Sequence, residues 1–246
     1  PKAFLSAITT RLAIDHLRSA RVRRERYVGT WLPEPLLTEA GPDDVAEHAE
    51  MADSLSMAFL VLLESLTPVE RAVFLLREIF EHGYDEIARM LGKSEDNCRQ
   101  IALRARRQVA ARRPRFEASR GRRDELARRF FAAAERGDSD ALLEMLAEDV
   151  VAYADGGGKA RAFPQPVHGR ERVGRLLARA SESAGVPFAR WRHAEINGQP
   201  GALFLDREDR AVLSVSLDIA EGRVQTIRAI SNPDKLRHLV SARRDD

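Results

Sequence analysis

Apolar residues recur at three- and four-residue intervals through the first half of the chain and at alternate positions through its last quarter, so the pattern predicts helices first and strands afterwards. Leu5, Ile8, Leu12 and Leu17 predict a helix over roughly 2–26 with a basic tail. Trp31-Leu32-Pro33-Glu34-Pro35 cannot continue it, because two prolines at alternate positions force extended backbone. Gly41-Pro42-Asp43-Asp44 starts a helix reaching about Glu64, with acids in its first turn. Thr67-Pro68-Val69-Glu70 is a capping-box start with proline in the first helical position, followed by an apolar stripe of Val69, Ala72, Val73, Leu76, Ile79 and Phe80. Gly83 is expected to end that helix. Tyr84, Ile87, Ala88 and Leu91 mark a short one, and Gly92-Lys93-Ser94 makes a tight turn whose serine caps the next. There Cys98, Ile101, Ala102, Ala105 and Val109 face inward, while Asp96, Gln100, Leu103, Arg104 and Arg107 face outward with Arg99 at the edge. Helices of these lengths joined by a glycine turn read as a helix-turn-helix.

A basic, weakly apolar stretch at 114–121 is the clearest domain boundary. Beyond it Leu126, Phe130 and Phe131, then Leu142, Leu143 and Leu146, predict two amphipathic helices. A strand at 150–154, a turn through Gly156-Gly157-Gly158 and a helix at 170–183 follow. Strand-like runs at 188–196, 202–206, 211–219 and 224–230 are separated by Asn197-Gly198, Glu208-Asp209 and Glu221-Gly222 turns. The expected fold is multidomain: an all-α helix-turn-helix at 43–113, then an α+β domain at 122–240 with helices packed on a curved antiparallel sheet, and a tail at 241–246.

Of 246 residues, 44% are hydrophobic and 32% charged, which allows real cores, and no run has the roughly 18 apolar residues of a spanning helix. The single cysteine, Cys98, excludes a disulfide scaffold and a cysteine-rich zinc site. A soluble, cytoplasmic chain is expected, and its start at Pro1 suggests a missing N-terminal piece. The net charge of +2 hides blocks of opposite sign. Residues 1–30 carry seven bases against two acids, 31–66 carry eight acids and no base, and 67–120 carry twelve bases against eight acids. Basic blocks suit phosphate backbones, and an acidic block between them repels DNA or folds onto the bases.

A helix in the major groove needs long donors on its outward face, since guanine offers two acceptors that arginine spans and adenine pairs with glutamine. Arg99, Gln100 and Arg104 fit that requirement, and Leu103 suits a thymine methyl. Arg106, Arg107, Arg112 and Arg113 are expected on phosphates. With Lys93 and Ser94 of the turn, the DNA-binding candidates are Lys93, Ser94, Arg99, Gln100, Leu103, Arg104 and Arg107.

Three segments, Leu66-Thr67-Pro68-Val69-Glu70-Arg71, Tyr84-Asp85-Glu86-Ile87-Ala88 and Leu103-Arg104-Ala105-Arg106, resemble region 4 of an extracytoplasmic-function (ECF) sigma factor. Thr10 to Arg18 resembles the last helix of sigma region 2, so 1–28 is expected to be a remnant of it. Beyond Arg122 the chain is similar to the SnoaL-like extension, of NTF2-like cone-shaped fold, that one branch of these factors carries. That branch's signature segments match Trp31-Leu32-Pro33-Glu34-Pro35 in an interdomain linker at 29–42, Asp155-Gly156-Gly157-Gly158-Lys159, and Asn232-Pro233-Asp234-Lys235-Leu236. The resemblance implies RNA polymerase core and the promoter −35 element as partners, no cofactor, no metal and no enzymatic activity. It also implies regulation through intramolecular contacts of the extension with the linker and sigma domains. Most of region 2 is absent from the chain. Arg21, Arg23, Arg24 and Arg26 read equally as a remnant DNA-contacting surface or as a solvated helix end. Trp31 suits burial, the glycines allow close backbone approach, and Lys159 is a candidate partner for Glu34.

The alternative is a SnoaL-like small-molecule enzyme or ligand sensor fused to a DNA-binding domain. Asp155, His168, His193 and Asp218 supply its acid–base groups, without metal-ligand spacing or a nucleophile motif.

Overall fold

The computed structural model describes residues 2–24, 27–38, 57–112, 120–182 and 189–239, with side chains described over 5–19, 27–38, 59–110, 120–179 and 189–239. Two compact units emerge: residues 1–26 with 60–113, and residues 27–59 with 114–246. The expected helix start at Gly41, the side chains of Arg21, Arg23, Arg24 and Arg112, residues Arg26 and Arg113, and the 241–246 tail lie outside what is described.

In the first unit, α1 (Lys2–Arg24) packs on α3 (Pro68–Glu78) and α4 (Tyr84–Leu91). Its inward face is Ala7, Thr10, Ile14 and Leu17, at three- and four-residue steps, and Ile14 is buried. Of the apolar positions that predicted this helix, Leu17 lies on that face, and Leu5 and Leu12 are 61% and 65% exposed.

The short α2 (Met57–Glu64) leads into the α3 capping box. Thr67 Oγ1 accepts from the Glu70 amide at 3.3 Å, and Glu70 returns a carboxylate oxygen to the Thr67 amide at 3.1 Å. Hydrogen bonding to the Thr67 hydroxyl holds the Glu70 carboxyl below its ordinary range. The cap is therefore complete above that range and lost as pH falls through the lowered value. Thr67→Ala is expected to cost about 1 kcal/mol in the helical unit. Amide exchange of α3 checks this, and the deficit should shrink toward acid pH.

The α3 stripe runs shorter than its periodicity. The helix ends at Glu78, so Ile79 is its cap and Phe80 is 64% exposed. Glu81, at φ 56°, makes the turn, and Gly83 in extended conformation is the N-cap of α4, not the stop of α3. Gly92, at φ 62°, ends α4 as expected, and Ser94 Oγ accepts from the Asn97 amide at 3.3 Å to cap α5 (Glu95–Arg112). Val73, Leu76, Ile87, Ala88, Met90, Cys98, Ile101 and Ala102 form the shared core. Burial pushes the Cys98 thiol up, as expected of a packed, unreactive cysteine.

The second unit carries α6 (Arg120–Arg136), α7 (Ser139–Met145), β1 (Leu146–Asp155), β2 (Val167–His168), α8 (Arg170–Glu182), β3 (Arg190–Ile196), β4 (Gln199–Leu205), β5 (Ala211–Ala220), β6 (Arg223–Ile230) and α9 (Pro233–Leu236). The sheet is unclosed, ordered β2-β1-β6-β5-β4-β3 and antiparallel except for the parallel β1–β6 pair, which alternation alone does not reveal. Leu146, expected at the end of a helix, begins β1, and the two-residue β2 escaped the pattern. Alternation sorts the strands into two buried faces. Ala152, Leu217, Ile219 and Ile227 meet Leu126, Phe130, Phe131 and Leu142 of the helices. Ala194, Ile196, Leu203, Leu205 and Ile230 meet Leu32, Leu236 and Leu239. The segment 27–38 thus covers one face of the sheet.

Candidate nucleic-acid interface and linker clasp

The capped α3 and α4 brace α5 from behind, which leaves its outward side to solvent. Lys93, Ser94, Arg99, Gln100, Leu103, Arg104 and Arg107 are all exposed, as their spacing predicted, and Leu103 is 47% exposed. Most of the basic side chains are already organised by acids. Arg99 Nη2 and Nη1 donate to Glu95 and Asp96 at 2.8 and 2.9 Å, and its guanidinium lies 5.4 Å from the Tyr84 ring centre. Arg104 approaches Glu70 at 3.7 Å. Arg106, expected on phosphate, turns to Glu78 through Nε and Nη2 at 2.9 and 2.7 Å. Arg107 has no carboxylate partner among the described residues.

The second assembly is a clasp around Asp155, at the end of β1, which is fully buried. Its carboxylate accepts from the Tyr27 hydroxyl, from the Leu32 amide at 2.8 Å and from Lys235 Nζ at 2.8 Å. Its carbonyl accepts from the Ser231 and Asn232 amides at 2.9 and 3.0 Å. Lys235, buried in α9, also donates to the Leu32 carbonyl and sits 4.1 Å from the Trp31 ring centre, a cation–π contact. Burial first, then the bond to Asp155 and its charge, push the Tyr27 phenol far above its ordinary range, so it remains a donor. Asn232 caps α9 through the Asp234 amide and donates to the Tyr27 oxygen at 2.6 Å.

Gly157, at φ 60°, has no room for a side chain: a methyl there would strike Asn232 Nδ2 and the Tyr27 hydroxyl. Gly156 is closed off by the Ala160 carbonyl, and Gly158 sits against Val28. Further along, Leu36 donates to Asn197 Oδ1 at 3.0 Å, Thr38 donates its amide to the Glu195 carbonyl at 3.0 Å, and His238 Nε2 lies 2.8 Å from the Pro35 carbonyl.

The three signature segments thus meet. Trp31, Leu32, Asp155, Gly156, Gly157, Gly158 and Asn232 belong to the clasp, Pro233 opens α9, and Pro33 and Pro35 are buried. One pairing is corrected: Lys159 bonds Asp234, whose carboxyl it holds below the usual range, and not Glu34, which is exposed. Tyr27, Lys235, Asn197 and His238 were missed. Only Lys235 had a signal, as a charge inside a signature segment.

The four acid–base candidates do not converge. Asp155 is consumed by the clasp, and Asp218 pairs with Arg228 at 2.6 Å on the same sheet face. His193 lies on the opposite face against Phe131 and Trp191, where burial and then the Arg128 charge keep its pKa low. His168 lines a surface groove of about 410 Å³ with Glu148 and Arg170.

Residues 56–109 match the family model Sigma-70, region 4, and residues 127–231 match the SnoaL-like domain. The chain is 35% identical over 243 residues to the ECF RNA polymerase sigma factor SigJ of Mycobacterium tuberculosis, covering 96% of this chain and 78% of that protein. It is 34% identical over 239 residues to the probable ECF RNA polymerase sigma factor SigI of the same organism, at the same coverage. The crystal structure of M. tuberculosis SigJ superimposes with a TM-score of 0.73 at 31% identity, over 96% of this chain and 82% of that one. These relatives are sigma factors and not enzymes, and the chain belongs with them to the extracytoplasmic-function sigma factor family, with a SnoaL-like domain of NTF2-like fold behind its region 4.

Proposed function

We propose that the chain recognises the −35 promoter element by laying α5 in the major groove, and that its SnoaL-like domain regulates it by holding the linker. Membership in the sigma factor family makes RNA polymerase and promoter DNA its partners, and the work is done in the cytoplasm. The observation that carries the groove assignment is the outward side of α5, solvent-exposed from Lys93 to Arg107 while Cys98, Ile101, Ala102 and Ala105 bury the inward side. Arg99 reads a guanine edge, Gln100 and Arg104 reach neighbouring bases, Leu103 meets a thymine methyl, and Lys93, Ser94 and Arg107 take phosphates.

Arg99→Ala is expected to lose about 1–3 kcal/mol of discrimination at one base pair while the salt dependence of binding stays nearly unchanged. Binding titrations against single-base-pair duplex variants measure it. Equal preference in parent and variant at every position refutes the groove assignment.

The regulatory reading is supported by the clasp. A flexible connector explores many spacings, but one whose residues 27–38 are held on a sheet face does not. Release of the clasp is then the step by which the SnoaL-like domain changes promoter binding.

A further inference from the structure

We propose that Tyr84 is a positioning residue for promoter specificity, its ring serving as the platform that sets where the base-reading Arg99 reaches. This rests on the reading of Arg99 as a base-reading side chain. Tyr84 opens α4, where the Gly83 cap fixes the backbone and the ring packs half-buried against the core shared with α5. Two guanidinium groups lie on the ring, Arg77 at 5.1 Å and Arg99 at 5.4 Å from its centre, both inside the range of cation–π attraction. Arg77 is pinned by donating to the His82 carbonyl at 3.0 Å, so it secures the ring and stays off the groove side chains.

Arg99 is thereby held at three points: the ring, Glu95 and Asp96. Each carboxylate takes a bond from a different terminal nitrogen, and the remaining donors of the fork have no partner among the described residues. A long exposed arginine ordinarily loses rotamer freedom when it docks on a base. One already stacked on a fixed ring loses less, and it arrives with its plane set. Bidentate reading of guanine depends on that plane, so the platform acts on discrimination more than on general affinity.

The test uses the full chain and a duplex that the parent selects from a randomised library, together with that duplex's single-base-pair variants. The readout is the ratio of affinities for the selected and variant duplexes at the pair that Arg99→Ala relaxes. A ratio is insensitive to the fraction of protein folded. Tyr84→Leu, which keeps an apolar side chain without a π face, is expected to lower that ratio about two- to fivefold. Tyr84→Phe is expected to keep it. Adding Tyr84→Leu to Arg99→Ala should lower it no further, and the salt slope should match the parent throughout. A Tyr84→Leu ratio equal to the parent's, or a loss spread evenly over all base pairs, overturns the platform. If Arg99→Ala relaxes no base pair, or the parent enriches no sequence, the base-reading assignment itself has failed and the platform falls with it.

Discussion

Asp155→Ala is expected to free the linker from the sheet and to destabilise the SnoaL-like unit by about 3–5 kcal/mol, the usual cost of stranding one partner of a buried ion pair. The carboxylate is fully buried and satisfies Tyr27, the Leu32 amide and Lys235 together. Its removal leaves an ammonium, a phenol and a backbone amide that must all be rehydrated, and rehydration requires the linker to lift. Asp155→Asn keeps an acceptor and the shape but not the charge, so its penalty should lie between parent and alanine. Both tryptophans, Trp31 and Trp191, belong to this unit, so intrinsic fluorescence during urea unfolding follows it without interference from the helical unit. Exchange of the Leu32 amide reports the linker directly. If that amide stays as protected in Asp155→Ala as in the parent, the carboxylate is not what holds the linker. If the amide is freed and binding to the −35 duplex is unchanged, the clasp holds the linker without regulating promoter recognition.

What the sequence revealed and what it concealed divide along the range of the interactions. Caps and turns are local, and they were readable: Thr67 with Glu70, Gly92 with Ser94, the Asn197-Gly198 turn, whose positive φ angles fit both residues, and the Glu221-Gly222 turn, where they fit the glycine. The outward side of α5 was readable for the same reason, because helical spacing fixes which residues share a face. Misreadings arose where a local signal serves two ends. Gly83 can close one helix or open the next, and the backbone uses it to open α4 while Glu81 takes the left-handed turn. Ile79 and Phe80 continue the α3 stripe in sequence but lie past its last helical residue. On α1 the apolar positions that predicted the helix divide between two sides, Leu17 facing inward with Ile14 while Leu5 and Leu12 are exposed.

Long-range choices left almost no trace. Nothing near Lys159 says that its carboxylate is Asp234, seventy-five residues away, and not Glu34. Nothing near Tyr27, in an arginine-rich stretch without periodicity, says that it reaches Asp155. The meeting of the three signature segments was expected from family resemblance, and the chemistry of the meeting came only with the fold.

Asp218 offers the second large effect and separates a structural carboxylate from an acid–base one. It faces Arg228 diagonally across β5 and β6, and both are nearly fully buried. Arg228 Nη1 lies 2.6 Å from Asp218 Oδ2, and Asp218 Oδ1 has no hydrogen-bond partner among the described residues. A buried pair recovers its desolvation cost fully only when its remaining polar atoms are also satisfied, and here Asp218 Oδ1 has no partner among the described residues. Asp218→Ala alone is expected to cost about 3–5 kcal/mol, because it strands the guanidinium. The double change Asp218→Leu with Arg228→Met removes both charges and is expected to be neutral or to stabilise by about 1–4 kcal/mol. Urea midpoints read by tryptophan fluorescence decide between the two outcomes, and a double variant as unstable as the single one would mean the pair contributes more than its geometry allows. If the SnoaL-like domain acts through its clasp, the double variant should also bind −35 duplex as the parent does. A stable double variant that no longer binds the duplex would instead mean that this ion pair does more than hold the sheet together.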